Sequence, residues 1–279
     1  MNVQEKRTGE KTIAFLGAGN MAEAIIKGIL DAALFPPEAL IAADISSARI
    51  TEIGRKYKIR TSLLNKEAVH EGSIVILGVK PLIVDSVLSE VAPMLSGKLL
   101  ISVAAGIPIR RLMAQLSGEV AVIRAMPNAA SRVLAGATVL SPGPYVDQRR
   151  LEEGIAVFNS IGRTWVLEER LLDAVTGLSG SGPAFVMVVI EAMAEGGVKC
   201  GLDYDVAMAL SAQTVLGASL WLKTSGEHPA RLKDVVASPG GTTIAGLHQL
   251  EAKGLRAALI SAVEAAAQRS HELGREEKV

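Results

Sequence analysis

The feature that most constrains the fold is a short apolar segment followed directly by a glycine-rich turn and an amphipathic helix. Residues 12–16 (TIAFL) predict a buried strand, and residues 17–22 (GAGNMA) supply the turn. Residues 21–34 have apolar side chains at helical spacing, and a second strand is predicted at 40–43. Strand–helix–strand units form parallel sheets, so the sequence predicts an α/β fold with helices on both faces of the sheet.

The turn has the pattern G-x-G-x-x-A, which is typical of dinucleotide-binding sheets. Gly17 allows the tight turn, Gly19 lets the backbone approach a pyrophosphate, and Ala22 allows the helix to pack closely. Asp44 ends the second strand, near the spacing of about 20 residues expected for the carboxylate that binds a ribose. The alternative is an ordinary strand-to-helix turn.

The alternation of strands and helices continues to about residue 168. Helices are predicted at 50–57 and after a cap at 65–67. The remaining strands are predicted at 59–61, 73–79, 98–103, 120–124, 137–140 and 164–167. In parallel sheets, ligands lie beyond the carboxyl ends of the strands, where Gly78–Pro81, Ala104–Gly106 and Asn128 fall. The small residues at 104–106 leave room for a flat ring such as a nicotinamide.

Strands are no longer predicted after residue 168, so we divide the chain into a dinucleotide-binding domain at 1–168 and an all-helical domain at 169–279. Helices are expected at 171–177, 184–199, 204–224 and 229–236, with two more ending near residue 272 and a chain break at 178–183. The helix from Ala184 is apolar almost all round and must be buried on every side. This indicates a homodimer formed through the helical domain. The alternative is the central helix of a monomeric bundle.

Residues 238–243 (SPGGTT) combine a proline, paired glycines and two threonines immediately before a helical pattern. Such a sequence places backbone N–H groups and hydroxyls at the positive end of a helix, where a small carboxylate binds well. An ordinary capped loop has the same composition, and Thr243 is equally suited to be the helix cap.

Composition excludes several functional classes. Lys plus Arg and Asp plus Glu both number 29, so no net charge attracts nucleic acid or an anionic membrane. A single cysteine and four histidines without ligand spacing predict no disulfide and no metal site. No G-x-S-x-G motif supports a hydrolase. With no predicted membrane span or signal peptide, we expect a cytoplasmic protein. The pairs Glu168-Glu169 and Glu276-Glu277 are expected on solvated faces.

Taken together, six segments resemble the pyrroline-5-carboxylate reductase family. They are FLGAGNMA at 15–22, GVKP at 78–81, RAMPN at 124–128, DAVTGLSGSGPAF at 173–185, EGGVKCGL at 195–202 and LKDVVASPGGTTIAGLHQLE at 232–251. The resemblance implies a Rossmann-like N-terminal domain, a helical C-terminal dimerisation domain, dimers that can assemble into decamers, and a cleft shared between subunits. It implies reduction of 1-pyrroline-5-carboxylate to L-proline, the last step of proline biosynthesis, by hydride transfer to the C=N carbon.

The resemblance also assigns site residues. Cofactor binding falls on Leu16, Gly17, Ala18, Gly19, Asn20, Met21, Asp44, Ile45, Ser46, Asn65, Gly78, Val79, Lys80, Pro81, Ala104, Ala105, Gly106 and Asn128. Substrate binding falls on Glu227, Ser238, Gly240, Gly241, Thr242 and Thr243. Thr243 is the expected catalytic residue, with its hydroxyl on the ring nitrogen, and the N–H groups of Gly241, Thr242 and Thr243 are expected to hold the substrate carboxylate.

The cofactor is expected to be NADPH, NADH or both. Family members that use NADPH commonly have Ser or Asn, often followed by Arg, where this chain has Asp44-Ile45. Because a carboxylate accepts hydrogen bonds from ribose hydroxyls but repels a 2′-phosphate, we expect NADH to be used at least comparably well. Ser46, Ser47 and Arg49 remain able to hold that phosphate.

Three other classes remain as alternatives. A β-hydroxyacid dehydrogenase would need a lysine on the interdomain helix, where residues 181–195 have none. A deazaflavin-dependent NADP reductase would share the N-terminal motif but not residues 232–251. A non-catalytic nucleotide sensor would bind NAD(P)H without turning it over.

Overall fold

The computed structural model describes residues 11–274, and their contacts divide the chain into two compact units. The first, here called the sheet unit, contains the described residues up to Gly180 and those from Ala266 to Gly274. The second, the helical unit, is Ser181–Ala265.

The sheet unit contains an eight-stranded sheet with the order β3-β2-β1-β4-β5-β6-β7-β8. Its strands are β1 (Ile13–Leu16), β2 (Leu40–Ala43), β3 (Arg60–Ser62), β4 (Ile74–Leu77), β5 (Leu99–Ser102), β6 (Ala121–Met126), β7 (Gly136–Pro142) and β8 (Gly162–Val166). All neighbouring strands are parallel except β6 and β7. The expected mostly parallel sheet is confirmed, and the first six strands have the order of dinucleotide-binding folds.

Helices cover both faces of the sheet. They are α1 (Asn20–Asp31), α2 (Ser47–Tyr57), α3 (Asn65–Glu71), α4 (Val84–Val91), α5 (Ile109–Ala114), α6 (Gln148–Asn159) and α7 (Leu172–Val175). One apolar cluster joins α1 and α6 to one face of the strands, and a second joins α3 and α4 to the other. The central strands β1 and β4 are completely buried, which explains their uninterrupted apolar sequences.

Two local expectations were wrong. Residues 178–183 do not break the chain: α7 continues as a π-helical turn at Thr176–Gly180, and the next helix follows after Ser181 alone. The hydroxyls of Thr176 and Ser179 donate to the carbonyls of Leu172 and Val175, so the glycine-rich segment stays helical. Asn65 is not a cap either. It is the first residue of α3, whose N-cap is Leu64.

The helical unit contains five helices: α8 (Gly182–Lys199), α9 (Tyr204–Ser225), α10 (Pro229–Val235), α11 (Thr242–Ala252) and α12 (Leu255–Leu273), the last of which extends past Ala265. Each lies close to its predicted position. The last strand ends at Val166, while residues 169–180 pack within the sheet unit. The division into domains at 168/169 therefore stays a prediction.

The helical unit exposes much of its apolar surface. On α8, Met187 and Val188 are 64% and 65% exposed, and Leu210 and Leu220 on α9 are also exposed. The segments Glu169–Lys199 and Tyr204–Ser225 are long and apolar enough to cross a membrane by length and composition alone. Only 11% of either apolar window is buried within one subunit, so these helices need a further partner of some kind.

Candidate active site

The turn after β1 lies against the turn after β4, at the centre of the sheet. Gly17 has a φ of +90°, and its N–H donates to the carbonyl of Ala43 at 2.8 Å. A Cβ atom at this position would lie 3.0 Å from the carbonyl oxygen of Gly78 and 3.0 Å from Val79 Cγ1. Only glycine fits both the conformation and the space, and this explains the first glycine of the motif.

The beginning of α1 is open to a ligand. Gly19 is the N-cap residue, with extended backbone and no capping side chain, and a Cβ atom there would meet nothing within 4 Å. Asn20 and Met21 follow in the first turn, where N–H groups have no partner within the helix. This is the arrangement in which a helix start binds a pyrophosphate.

Asp44 organises the ribose end of the same region. Its Oδ2 accepts from the N–H of Ala18 at 2.9 Å, and its Oδ1 accepts from the N–H of Ser46 at 2.9 Å. Each carboxylate oxygen can accept a second hydrogen bond, so the group can still receive two ribose hydroxyls. Ile45 is exposed beside it, and Ser46 caps α2. The residues therefore fit the adenosine half of a dinucleotide.

Sequence reasoning missed Glu23, which lies on α1 and binds three side chains. It accepts from Lys56 Nζ at 2.7 Å and from the Tyr57 hydroxyl at 2.9 Å, and it pairs with Arg49. Burial alone would raise the pKa of Glu23, but hydrogen bonds from Lys56, Arg49 and Tyr57 outweigh it and lower the pKa to about 2. All of these partners come from α2, and no local motif points to them.

The other predicted cofactor residues fall into two groups. Val79, Lys80, Pro81, Ala105 and Gly106 lie beyond the carboxyl ends of β4 and β5, with their surfaces at least partly exposed. Leu16 is completely buried and Ala104 is 4% exposed, so neither side chain is open to a ligand. Because β1, β4 and β5 are parallel neighbours, these segments share one edge of the sheet with Gly17.

Two predicted cofactor residues have structural partners. Asn128 is buried, its Nδ2 donates to the carbonyl of Ser179 at 2.9 Å, and its Oδ1 accepts from the N–H of Ala137 at 3.1 Å. These bonds connect the end of β6 with β7 and the π turn. Asn65 donates from its side chain to Glu90 at 2.9 Å.

In the helical unit, the glycine pair shapes the beginning of α11. Gly240 has a φ of +68°, and Gly241 is the N-cap in an extended conformation. A Cβ atom on Gly241 would lie 2.4 Å from Ser238 Oγ, so a larger residue here would force the Ser238 side chain to rotate away. Thr242 and Thr243 are the first two helical residues. The alternative that Thr243 is the cap is therefore wrong.

The N–H groups of this loop are not equivalent. The N–H of Gly241 donates to the carbonyl of Ser238 at 3.0 Å. It is therefore not free to bind a substrate carboxylate in this structure, contrary to the expectation from the sequence. The first-turn N–H groups of Thr242 and Thr243 precede the intrahelical bonds. Ser238 and Thr242 are exposed and Thr243 is half-buried. Glu227 is exposed, and its Oε2 lies 3.5 Å from Nε of Arg231.

A matching family model decides between the alternatives for the helical part. Residues 169–273 match the model described as pyrroline-5-carboxylate reductase dimerisation, and residues 12–106 match NADP oxidoreductase, coenzyme F420-dependent. A pyrroline-5-carboxylate reductase from Methanosarcina acetivorans is 44% identical over 94% of this chain and 98% of its own length. The chain belongs to the pyrroline-5-carboxylate reductase family. The second model matches only the part that many dinucleotide reductases share.

Other pyrroline-5-carboxylate reductases are similar to this chain over almost their whole length, both in sequence and in structure. The Arabidopsis thaliana protein is 42% identical, covering 94% of this chain and 95% of its own. The solved Coxiella burnetii structure has a TM-score of 0.90 at 32% identity, covering 95% of this chain and 98% of its own. The Plasmodium falciparum structure, solved with NADP bound, has a TM-score of 0.86 at 31% identity, covering 96% and 99%.

Membership of the pyrroline-5-carboxylate reductase family confirms the expected fold, the reductase class, the nicotinamide cofactor and the small-molecule substrate. It also explains the exposed apolar helices. The dimerisation model covers α8 and α9 completely, and the homodimer is confirmed in preference to the monomeric bundle. Among residues 11–274, no group of three metal-ligating side chains occurs.

The reductase also contains a polar cavity that sequence reasoning missed. It has a volume of about 380 Å³ and lies within the sheet unit. Arg124, whose side chain is only 9% exposed, pairs there with Glu169 at 3.1 Å, and Glu169 also accepts from the N–H of Ile109 at 2.7 Å. The expectation of a solvated Glu169 was therefore wrong, whereas Glu276 and Glu277 lie outside the described residues.

Proposed function

We propose that this chain reduces 1-pyrroline-5-carboxylate to L-proline with NADH or NADPH as the hydride donor. The observation that carries the proposal is the share of the chain over which the similarity to the family extends. It covers 94% of the chain, so both the glycine turn of the sheet unit and the α11 loop of the helical unit belong to the matched region. A dinucleotide-binding module alone would account only for residues 12–106.

The sheet unit is proposed to bind the cofactor along the carboxyl edge of its parallel strands. The first turn of α1 would donate N–H groups to the pyrophosphate, and Asp44 would accept from the ribose hydroxyls. The turns at Gly78–Pro81 and Ala104–Gly106 would receive the nicotinamide half. When bound, the nicotinamide supplies the hydride, and the protein supplies orientation and electrostatics.

The helical unit is proposed to bind the substrate at the beginning of α11. Thr242 and Thr243 would donate their N–H groups to the carboxylate, at the positive end of an 11-residue helix. Gly240 and Gly241 set the conformation that leaves this helix start uncovered, and Gly241 uses its own N–H to close the turn on Ser238. Glu227 is retained as a substrate-binding residue on the family resemblance.

Thr243 is proposed as the catalytic residue. A hydride adds to the C=N carbon only if that carbon is electron-poor, so the ring nitrogen must be protonated or hydrogen-bonded during the transfer. The Thr243 hydroxyl is the donor of the α11 loop that we assign to this task. Since the loop contains no strong acid, most of the rate acceleration comes from holding the two reactants together, an effect worth up to about 7–11 kcal/mol.

The assembly and the cellular location are proposed from the family resemblance and from the apolar helices. The homodimer is proposed to assemble further into a decamer and to share a substrate cleft between subunits, on the family resemblance. We propose a cytoplasmic location, because the two apolar helices are accounted for by dimerisation. The domain boundary at 168/169 is supported by the start of the dimerisation match at residue 169.

The decisive experiment measures the loss of NADH and NADPH absorbance after addition of 1-pyrroline-5-carboxylate to the full chain. L-Proline is quantified chromatographically in the same samples. We expect one proline for each cofactor oxidised. Binding of both nucleotides without proline formation would identify a nucleotide sensor and overturn the proposal.

The role of Thr243 is tested by Thr243→Val, which keeps the branched shape and removes the hydroxyl. We expect kcat to fall by about 10-fold to 100-fold with little change in the Kd of NADH, since the lost bond acts on the reacting ring. Thr243→Ser is the matched control and should retain most of the activity. A fully active valine variant would remove Thr243 from the mechanism.

A further inference from the structure

Arg49 is the arginine that the sequence offers for a cofactor 2′-phosphate, but its guanidinium is held in place by contacts with α1, α2 and the turn before α1. Its Nε donates to the carbonyl of Ala18 at 2.7 Å, its Nη1 pairs with Glu52 at 2.9 Å, and its Nη2 pairs with Glu23. All three nitrogen atoms have partners. Their planar geometry fixes the guanidinium between α1 and α2.

The charge around Arg49 is also unfavourable for a phosphate. Arg49 and Lys56 pair with two carboxylates, those of Glu23 and Glu52, so their charges are already balanced. Asp44 adds a negative charge close by, since it binds the N–H of Ala18, the residue whose carbonyl accepts from Arg49. The low pKa of Glu23 keeps its carboxylate ionised at any physiological pH. A 2′-phosphate brings a further charge of about −1.5 to −2.

We propose that Glu23 is a specificity residue that holds Arg49 away from a cofactor 2′-phosphate and thereby makes this enzyme prefer NADH to NADPH. The inference rests on the cofactor site of the proposed function and adds a residue to it. Asp44 disfavours the phosphate directly by its charge. Glu23 acts from α1 by binding the Arg49 guanidinium, which would otherwise balance the charge of the phosphate.

The contacts of the two carboxylates show why Glu23 restrains Arg49 more strongly than Glu52 does. Glu23 is mostly buried between the two helices and is also held by Lys56 and Tyr57, so it cannot move aside without losing those bonds as well. Glu52 is 54% exposed and forms only an i,i+3 pair with Arg49. Exposed pairs of this kind contribute little and exchange readily with water.

The test compares nucleotide binding without substrate. NADH and NADPH are titrated into the wild-type chain and into Glu23→Gln, and Kd is read from nucleotide fluorescence. We expect the wild type to bind NADH more tightly. In Glu23→Gln the Kd of NADPH should fall at least 10-fold, while the Kd of NADH changes less than about 3-fold.

Two control variants separate the mechanism from a general charge effect. Glu38→Gln removes the same charge from an exposed position in the same unit and should leave the ratio of the two Kd values unchanged. Glu23→Gln/Arg49→Gln should lose the gain in NADPH binding. Thermal unfolding of each variant checks that it is folded.

The outcomes are distinct. An unchanged Kd ratio in folded Glu23→Gln, or a gain that survives the loss of Arg49, would overturn the inference even if the wild type makes proline. A wild-type chain that binds both nucleotides but makes no proline would overturn the proposed function, while the Kd ratios would still decide the role of Glu23. Wild-type preference for NADPH would contradict the inference outright.

Discussion

Gly17 and Gly19 belong to the same turn but are required for different physical reasons. Gly17 adopts a positive φ and has no room for a side chain, whereas Gly19 has a negative φ and open space around it. The first glycine is thus needed by the fold, and the second is available for a ligand.

Alanine substitutions should separate these two requirements. We expect Gly17→Ala to lower the free energy of unfolding by about 1–2 kcal/mol in the absence of nucleotide, because alanine is strained there. Gly19→Ala should cost less than about 1 kcal/mol but should weaken NADH binding by about 10-fold. Urea denaturation and calorimetric titration measure the two effects. Equal stability losses would contradict this assignment.

The ionisation of Glu23 gives a pH-dependent prediction. Its pKa is lowered from 4.5 to about 2, so its contribution to stability is present above pH 4.5 and is lost as the pH falls towards 2. The difference in free energy of unfolding between wild type and Glu23→Gln should therefore be constant near neutral pH and shrink in that acid range. Urea denaturation at a series of pH values measures it. A difference that grows on acidification would contradict the ion-pair network.

At the residue scale, the sequence predicts positions whose role depends on local backbone. Gly17, Gly19 and Asp44 were identified because the turn motif has a fixed spacing. Glu23 and Glu169 were missed because their partners are distant in sequence: Glu23 binds Arg49, and Glu169 binds Arg124. A single sequence gives no signal for such pairs.

At the scale of elements, Glu169 joins three parts of the sheet unit. It binds Arg124 on β6 and the backbone N–H of Ile109 at the beginning of α5, while it lies itself in the segment before α7. Its side chain is 32% exposed, but that of its partner Arg124 is nearly buried. Removal of Glu169 would therefore leave a nearly buried charge without its counter-charge, which costs more than breaking a surface ion pair.

Glu169→Gln should lower the free energy of unfolding by about 1–3 kcal/mol, because it leaves Arg124 without its counter-charge. The neighbouring Glu168 provides a matched control, since within residues 11–274 its ion pair is with exposed Arg170. We expect Glu168→Gln to change stability by less than about 0.5 kcal/mol. Urea denaturation compares the two variants, and similar effects would show that the junction does not depend on this pair.

Elements with a strong apolar pattern were predicted well, and elements defined by tertiary contacts were not. Buried strands such as β4 are continuous apolar runs and were recognised within two residues at either end. Helix α6 was missed because its first six residues, QRRLEE, contain one apolar side chain and give no apolar spacing to recognise. The π turn at Thr176–Gly180 was interpreted as a break, since glycine and serine favour loops unless side-chain hydrogen bonds hold them helical.

At the scale of the whole molecule, a substitution on the apolar surface of α8 tests whether this surface forms the dimer interface. We expect Val188→Asp to weaken dimerisation at least 100-fold, because an unpaired charge would be buried at the interface. Val133→Asp changes a valine of the sheet unit that is 75% exposed, against 65% for Val188, and should leave the dimer intact. Sedimentation velocity measures the subunit equilibrium. A dimeric Val188→Asp variant would place the interface elsewhere.

The exposed faces of α8 and α9 also have a consequence for how much active enzyme a solution contains. A chain that completes its apolar packing only on meeting another copy gains stability from mass action, so its melting temperature rises with protein concentration. At high dilution, monomers would expose the apolar surfaces of these helices to the solvent and would be lost to aggregation or proteolysis. The supply of newly made subunits would then control the yield of folded enzyme.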